Sequence, residues 1–257
     1  MDLGITGKTA FVAASTSGLG LAVARALAAD GVRVAITGRR REISEQIAES
    51  LPGAVAIGVD LGAPDAVASA VDQAEERLGP IDIAVLNGPG PRPSTAAALT
   101  SEDLANSFDR LVRPQHDLVS RVLPEMRQRR WGRILAVGAS GIVAPLPNLA
   151  SSNAGRAALA GYLKTLAAEV ARDAVTVNLL LPGRIATDRV AELDAETAKR
   201  RGISVDEVQQ ESRESIPAGR YGTPEEFGAA AAFLCSASAS YITGVALRCD
   251  GGLVRSL

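Results

Sequence analysis

Hydroxyl, amide and guanidinium side chains recur around one predicted helix, in the segment SSNAGRAALAGYLKTLAAEV. Ser152 and Arg156 lie four residues apart in it, so both side chains project from one side of the helix, a turn apart. Ser140 ends the preceding strand, Asn153 follows Ser152, and Arg184 follows a later strand. Such donors hold a carboxylate or a phosphate, or polarise a carbonyl oxygen. We predict Ser140, Ser152 and Arg156 as catalytic residues and Asn153 and Arg184 as substrate-binding residues.

These residue types are poorly suited to moving protons. Arg156 is permanently charged, and a serine hydroxyl needs a neighbouring base before it acts as a nucleophile. The single histidine, His116, lies in the middle of another predicted helix, where packing or a subunit contact is its expected role. A second interpretation therefore stays open, in which Ser152 and Arg156 only fill space and backbone carbonyls or a buried acid satisfy the guanidinium.

A glycine-containing turn follows the first predicted strand, in the stretch AASTSGLGLAVARAL. Gly18 and Gly20 would let backbone N–H groups at the start of a helix approach a phosphate closely. The turn joins a strand to a helix in the first βαβ unit, which is the context that a dinucleotide-binding turn requires. The pattern predicts a nucleotide site, and an ordinary tight turn is the alternative.

The second predicted strand ends in AITGRRRE, which indicates the kind of dinucleotide. A fold selective for NAD places an acidic residue here to hold the ribose 2′-hydroxyl, whereas one that accepts NADP supplies arginine for the 2′-phosphate. Gly38 occupies the acidic position, and Arg39 and Arg40 follow it. We predict NADP(H) as the cofactor, with a solvated basic helix start as the alternative.

Short apolar runs alternate with longer amphipathic segments along the chain. The predicted strands span 8–14, 32–37, 54–60, 81–87, 132–140, 174–181 and 245–252. The predicted helices span 19–31, 42–50, 63–79, 101–130, 149–172 and 223–236, the last opened by a capping box of Thr223 and Glu226. Seven continuously apolar strands separated by helices predict an α/β fold, a Rossmann-type doubly wound seven-stranded parallel sheet in a single domain over residues 1–257.

One polar segment, residues 187–222, interrupts this alternation. It is too charged to lie in the layers that cover the sheet, and its stretch SVDE, residues 204–207, has the form of a capping box. We predict that this segment is a helical flap over the site.

Composition excludes several classes of partner. The 257 residues carry a net charge of −2 with a pI of about 5.6, so we expect no binding to nucleic acid or to an anionic membrane surface. The two cysteines form neither a disulfide framework nor a zinc spacing, and no metal site is expected. The amino terminus shows no secretory signal, and the uncharged stretch 228–247 is too rich in Ala, Ser and Gly for a membrane span. We expect a cytoplasmic protein with a small-molecule substrate.

These motifs together resemble the short-chain dehydrogenase/reductase family, in particular 3-oxoacyl-carrier-protein reductases, over essentially the whole chain. The family's Thr-Gly-x-x-x-Gly-x-Gly turn falls on Ala13, Ala14, Gly18 and Gly20, so alanine replaces the threonine and the first glycine. Asp60–Leu61 resembles the part of the family that meets the adenine. Asn87–Gly88 resembles the turn that follows the family's fourth strand. The segment with Pro182, Gly183 and Thr187 resembles the part that borders the nicotinamide.

The resemblance implies a cofactor site and a catalytic tetrad. The implied cofactor-binding residues are Ser15, Ser17, Gly18, Leu19, Gly20, Arg39, Arg40, Asp60, Leu61, Asn87, Gly88, Pro182, Gly183 and Thr187. The tetrad positions for Asn, Ser, Tyr and Lys fall on Leu111, Ala139, Ser152 and Arg156, so none is matched, although Ser140 stands beside the second. The resemblance also implies a homotetramer or homodimer.

Three functions remain open from the sequence. The first is a divergent NADP(H)-dependent reductase, in which Ser140, Ser152 and Arg156 polarise a carbonyl and the proton comes from water or substrate. The second is a protein that binds NADP(H) or another ligand without turnover, because all four tetrad residues are replaced. The third is a non-redox lyase or isomerase, with Arg156 and Arg184 holding an anionic substrate. The reductase is the leading interpretation.

Overall fold

A computed structural model describes residues 2–63 and 65–256. Seven strands form one all-parallel sheet in the order β3-β2-β1-β4-β5-β6-β7, which confirms the predicted Rossmann-type fold. Their bounds are β1 Thr9–Val12, β2 Arg33–Gly38, β3 Val55–Gly58, β4 Ile83–Leu86, β5 Gly132–Val137, β6 Val175–Pro182 and β7 Ala246–Cys249. The strand order reverses between β1 and β4, and the carboxyl ends of these two strands open a crevice where ligands of such sheets bind.

Helices cover both faces of the sheet. Their bounds are α1 Gly18–Ala29, α2 Arg41–Glu49, α3 Ala66–Leu78, α4 Ser101–Leu111, α5 Arg113–Arg129, α6 Ala150–Val170, α7 Asp188–Arg201, α8 Val205–Ser215 and α9 Pro224–Leu234. Successive strand residues point to opposite faces, so Phe11 packs in the core beneath α3, α5 and α6, whereas Val12 packs in the core beneath α1 and α9. Burial on both sides explains why the strands are apolar without alternation.

The prediction of one continuous helix over 101–130 is wrong, because the structure divides this segment into α4 and α5 at Val112. Pro114 is the second residue of α5. It has no N–H to donate to the carbonyl of Arg110, and its ring would collide with that carbonyl in a continuous helix. On either side of the break, Arg110, Pro114 and Gln115 line a cavity at the carboxyl edge of the sheet.

The segment 187–222 is helical, as predicted, and consists of α7 and α8. Ser204 and Glu207 form the predicted capping box at the start of α8. Arg201 of α7 forms a bidentate ion pair with Glu211 of α8, and this pair joins the two helices. Whether the segment acts as a flap stays a prediction.

The capping box that opens α9 carries an additional ion pair. Thr223 and Glu226 bond each other's backbone N–H groups, as predicted, and Arg220 donates two hydrogen bonds to the Glu226 carboxylate. These bonds lower the pKa of Glu226 to about 2.

Within residues 2–63 and 65–256, no helix is long and apolar enough to span a bilayer.

Candidate active site

The turn after β1 is strained at the alanine that replaces glycine. Ala14 has φ +48°, in the left-handed region that favours glycine, and Gly18 has φ +54°. Gly20 packs directly against the carbonyl of Ala14 and the side chain of Asn87, so a Cβ at residue 20 would collide with both. The backbone therefore keeps the glycine-type path through residue 14 despite the substitution.

Ser15, which we predicted to bind the cofactor, is buried and stabilises the turn through hydrogen bonds. Its hydroxyl donates to the carbonyl of Val12 at 2.8 Å and accepts from the N–H of Thr37 at 2.9 Å. Its own N–H donates to the carbonyl of Thr37, and the residue is fully buried. With the hydroxyl and the N–H both engaged, Ser15 joins β1 to β2 and shapes the turn, and its contact with a cofactor stays a prediction.

Asn87 ties the end of β4 to the same turn. Its Nδ2 donates to the carbonyl of Ala14 at 3.2 Å, and its own carbonyl accepts from Nε2 of Gln115 at 3.2 Å. The chain of contacts from α5 through Asn87 to the turn fixes the floor of the crevice between β1 and β4. Gln115 has no signal in the sequence, because only the break before α5 brings it to this edge.

A cavity of about 830 Å³ lies at this crevice, a size that suits a cofactor or large ligand. It brings together about half of the predicted cofactor residues: Ser17, Arg39, Arg40, Asp60, Leu61, Asn87 and Gly88. Ala14 and Thr16 complete the wall next to the turn.

The remaining predicted cofactor residues lie beside this cavity without lining it. Gly18 and Thr187 approach each other, with 3.9 Å from the methyl of Thr187 to a Cβ built on Gly18. Both line a second hollow of about 570 Å³ between α1 and α9. Pro182 pairs with Cys249 in the sheet, and Leu19, Gly20 and Gly183 are packed against neighbouring protein atoms.

Two exposed arginines follow β2, and the packing around its last residue, Gly38, leaves no space for an acidic side chain there. Thr16 packs so closely on Gly38 that any Cβ at residue 38 would collide with its side chain. Arg39 and Arg40 are exposed at the cavity, and no carboxylate of the described residues lies within 4 Å of either guanidinium. Arg41 differs, because it pairs with Glu45 in α2 at 2.7 Å. This edge therefore suits a ligand that carries its own negative charge.

Arg156 is held at the carboxyl end of β5. Its Nη1 donates to the carbonyls of Val137 at 3.0 Å and Gly138 at 3.3 Å. No carboxylate of the described residues is within 4 Å of it, and burial lowers the pKa of Arg156. The bonds to carbonyls agree with the interpretation in which Arg156 only fills space. Because the guanidinium has no counter-charge among the described residues, an anionic or polar ligand would stabilise it.

Ser140 and Ser152 have hydroxyls that form no hydrogen bond to another described residue, although Ser140 is buried. Ser140 begins a short 3₁₀ turn directly after the strand end that Arg156 bonds, and Ser152 lies one turn before Arg156 on α6. The fold thus brings the three predicted catalytic residues to the same edge of the sheet.

The two predicted substrate-binding residues are engaged elsewhere. Asn153 donates from Nδ2 to the carbonyl of Leu146 at 2.9 Å, and so holds the loop before α6. Arg184 bonds the fully buried Asp194 at 2.9 Å, and the hydroxyl of Tyr221 donates to the same carboxylate at 2.9 Å. Arg184 neutralises Asp194 and attaches α7 to the end of β6. Arg184 thus has a counter-charge in Asp194, and its convergence on Arg156 stays a prediction.

Within the described residues, no three His, Cys, Asp or Glu side chains cluster in an arrangement that could hold a metal ion. A family model described as enoyl-(acyl carrier protein) reductase matches residues 13–254. The chain belongs to the short-chain dehydrogenase/reductase family. The 3-oxoacyl-[acyl-carrier-protein] reductase FabG of Aquifex aeolicus is 33% identical, covering 98% of this chain and 100% of that protein. The NADPH-dependent reductase BacG of Bacillus subtilis is 30% identical, covering 97% and 99%.

A solved structure of similar shape is L-sorbose reductase from Gluconobacter frateurii, complexed with NADPH and L-sorbose. Its TM-score is 0.93 at 32% identity, covering 100% of both chains. The resemblance places the family's tetrad asparagine at Leu111, and the replacement of the tetrad stays a prediction. Leu111 is buried and packs on Gly155 of α6, whose missing Cβ leaves room for it.

Proposed function

We propose that the protein transfers hydride between NADP(H) and a carbonyl or hydroxyl substrate, as a 3-oxoacyl-reductase-like member of its family. The observation that carries this proposal is the cavity at the β1–β4 crevice. Arg39 and Arg40 lie at this cavity without a carboxylate partner among the described residues, and Thr16 occupies the space that an acidic side chain at residue 38 would need. The 2′-phosphate of NADP supplies a negative charge for these arginines, whereas the uncharged ribose 2′-hydroxyl of NAD does not.

The residues present fit a dinucleotide. The turn from Ala14 to Gly20 keeps the glycine-type backbone path in front of α1, where N–H groups and the helix dipole favour a pyrophosphate. Asp60 and Leu61 line the cavity at the end of β3, where we assign the adenine. When bound, the reduced nicotinamide would supply the hydride, and we assign its surroundings to Pro182, Gly183 and Thr187.

The chain's own contribution to chemistry is electrostatic. We assign Ser140 and Ser152 as hydrogen-bond donors to a substrate oxygen and Arg156 as the fixed positive charge beside them. Preorganised donors of this kind stabilise charge as it develops and need no reorganisation during the reaction. The second candidate is binding without turnover, which the two carbonyl bonds of Arg156 favour.

Self-association is part of the proposal. Leu104 and Phe108 of α4 are large, exposed apolar residues, and so are Tyr241, Val245 and Leu247 around β7. Exposed apolar groups of this kind mark interaction surfaces. They support the predicted homodimer or homotetramer, and sedimentation equilibrium tests it. We also keep the cytoplasm as the proposed location, in agreement with two free cysteines.

Titration with NADPH and NADH, followed by nicotinamide fluorescence and thermal shift, tests the cofactor. We expect the wild type to bind NADPH more tightly than NADH. Arg39→Ala should weaken NADPH binding by about tenfold, the effect of one charged hydrogen bond of about 1.5 kcal/mol, and should leave NADH binding nearly unchanged.

Arg41→Ala is the matched control, since it removes a guanidinium of the same run that is already paired with Glu45. It should leave both affinities close to those of the wild type. Equal loss of NADPH and NADH binding in Arg39→Ala would contradict the assignment of the 2′-phosphate. Absence of binding of either dinucleotide would remove the reductase proposal itself.

A further inference from the structure

The buried carboxylate of Asp194 in α7 joins the residues after β6 to the residues before α9. Its Oδ1 accepts a hydrogen bond from Nη1 of Arg184 at 2.9 Å, and its Oδ2 accepts one from the hydroxyl of Tyr221 at 2.9 Å. The side chain of Asp194 is 0% exposed, whereas that of Arg184 is 31% exposed. Both carboxylate oxygens are bonded to protein donors, and the charge is paired, as a buried carboxylate requires.

Asp194 is also one of the two buried residues of α7, a helix that the structure describes in full. The other is Ala198, while the apolar Val190 and Leu193 stay partly exposed. A helix on the surface of a globular domain ordinarily packs through an apolar stripe. In α7 the ion pair of Asp194 takes over part of that packing, so the position of the helix depends on the partners of this carboxylate.

Residues 182–187, the nicotinamide segment, lead from the end of β6 into α7 and include the residues that we assign to the nicotinamide. Thr187 is the last of them and precedes the first turn of α7, yet its hydroxyl caps none of the described N–H groups of that helix. The hydroxyl makes a long contact of 3.4 Å with the carbonyl of Ile185. Because Thr187 lies seven residues before Asp194, about 10 Å along the same helix, a shift of α7 also moves Thr187.

The backbone of the nicotinamide segment is held from both sides. The N–H of Gly183 donates to the carbonyl of Cys249 at 3.0 Å. The carbonyl of Arg184 accepts from the N–H of Gly222 at 2.9 Å, and the N–H of Ala186 donates to the carbonyl of Gly222 at 2.8 Å. The ion pair of the Arg184 side chain adds a further fixed point, and it is the one that connects the segment to α7.

We propose that Asp194 is a positioning residue for the nicotinamide end of the cofactor, acting through Arg184 on the nicotinamide segment. This role rests on the proposed function, which assigns residues of that segment to the nicotinamide. Asp194 needs no contact with cofactor or substrate, since both of its oxygens are bonded to the protein. The adenine end is assigned to the cavity wall that contains Arg39 and Asp60, so a change at Asp194 leaves that end intact.

Two ligands that share the adenine end separate positioning from general support of the fold. NADPH carries the nicotinamide, whereas adenosine 2′,5′-bisphosphate carries the 2′-phosphate and lacks the nicotinamide. In calorimetric titrations, we expect Asp194→Asn to weaken NADPH binding by about fivefold or more, the low end of coupling between two sites, and to change the affinity for the bisphosphate by less than about twofold. Weaker binding of both ligands by the folded variant, or of neither, would overturn the proposal.

Glu211→Gln is the matched control, because it breaks the ion pair with Arg201 that joins α7 to α8 and leaves the partners of Asp194 unchanged. It should keep both affinities close to those of the wild type. Arg184→Gln should weaken NADPH binding as Asp194→Asn does, and Arg184→Lys should restore part of the affinity because it keeps the charge. Equal NADPH affinities of Arg184→Lys and Arg184→Gln would contradict the role of the ion pair.

Tyr221→Phe is the milder variant for the case that Asp194→Asn does not fold. It removes one of the two hydrogen bonds to the carboxylate and should weaken NADPH binding by about threefold, with the bisphosphate again unaffected. Unchanged NADPH binding in every folded variant would overturn the role of Asp194 and leave the proposed function standing. Failure of the wild type to bind NADPH would remove both, and the bisphosphate titration would then show whether the adenine end still holds a ligand.

Discussion

The left-handed conformation of Ala14 makes Ala14→Gly a stabilising substitution. An L-residue in this region costs about 1–2 kcal/mol relative to its right-handed form, and glycine does not bear that cost. Glycine gains about 0.4–1 kcal/mol of freedom in the unfolded chain, which offsets part of the benefit. The net increase in the free energy of unfolding is about 0.5–1 kcal/mol, which for a chain of 257 residues corresponds to a Tm increase of about 1–4 °C.

Ala174→Gly is the matched control for Ala14→Gly. Ala174 has φ +58° but is exposed before β6 at the amino edge of the sheet, away from the cavity that Ala14 lines. Urea denaturation should show a similar gain for both variants. Only Ala14→Gly should also tighten NADPH binding, because it removes a methyl group from the wall next to the proposed pyrophosphate. If Ala14→Gly destabilises the protein while Ala174→Gly stabilises it, residue 14 does not have a left-handed backbone in solution and the reasoning fails.

Three further predictions concern the site and the capping box of α9. Ser152→Tyr combined with Arg156→Lys should raise the rate of simple ketone reduction at least tenfold, because it supplies the missing proton donor; no gain in a folded variant would mean that the pocket does not place a substrate beside α6. Gly38→Asp should lower stability by about 1–3 kcal/mol through collision with Thr16, and Thr16→Gly in the same chain should recover part of that loss in urea denaturation. Glu226→Gln should lower stability at pH 7, since the folded state depresses the pKa of this carboxyl to about 2 from about 4.3 in the unfolded chain; the difference from the wild type should shrink as the pH falls from about 4 to 2, and a difference independent of pH would show that the ion pair is not its cause.

The strand and helix pattern could be predicted well because it depends on local periodicity and caps. The Thr223–Glu226 and Ser204–Glu207 boxes need only a hydroxyl and a carboxylate three residues apart, and both form as expected. The break at Val112 could also have been predicted, since Pro114 is visible in the sequence.

The side-chain partners in the site could not be predicted in the same way. Asn153 and Arg184 have the residue types of ligand-binding groups, but Leu146 and Asp194 occupy them. Asp194 lies in a polar segment with no motif, ten residues after Arg184, and only the packing of α7 on the end of β6 brings the two together. A hydrogen bond between side chains depends on distances of a few tenths of an ångström, which spacing along the chain does not determine.

The sequence alone determined the parallel sheet, the glycine-containing turn and the arginines after β2, because apolar runs, φ-tolerant residues and charge are local properties. The resemblance also predicted that Ser152 and Arg156 stand at the positions of the family's tyrosine and lysine. Tertiary structure alone decided that Ala14 adopts the left-handed conformation and that Thr16 fills the space next to Gly38. It also decided that Arg156 bonds strand carbonyls and has no counter-charge among the described residues. These features arise where separate elements meet at the carboxyl edge of the sheet, and close packing there fixes which groups remain free to bind a ligand.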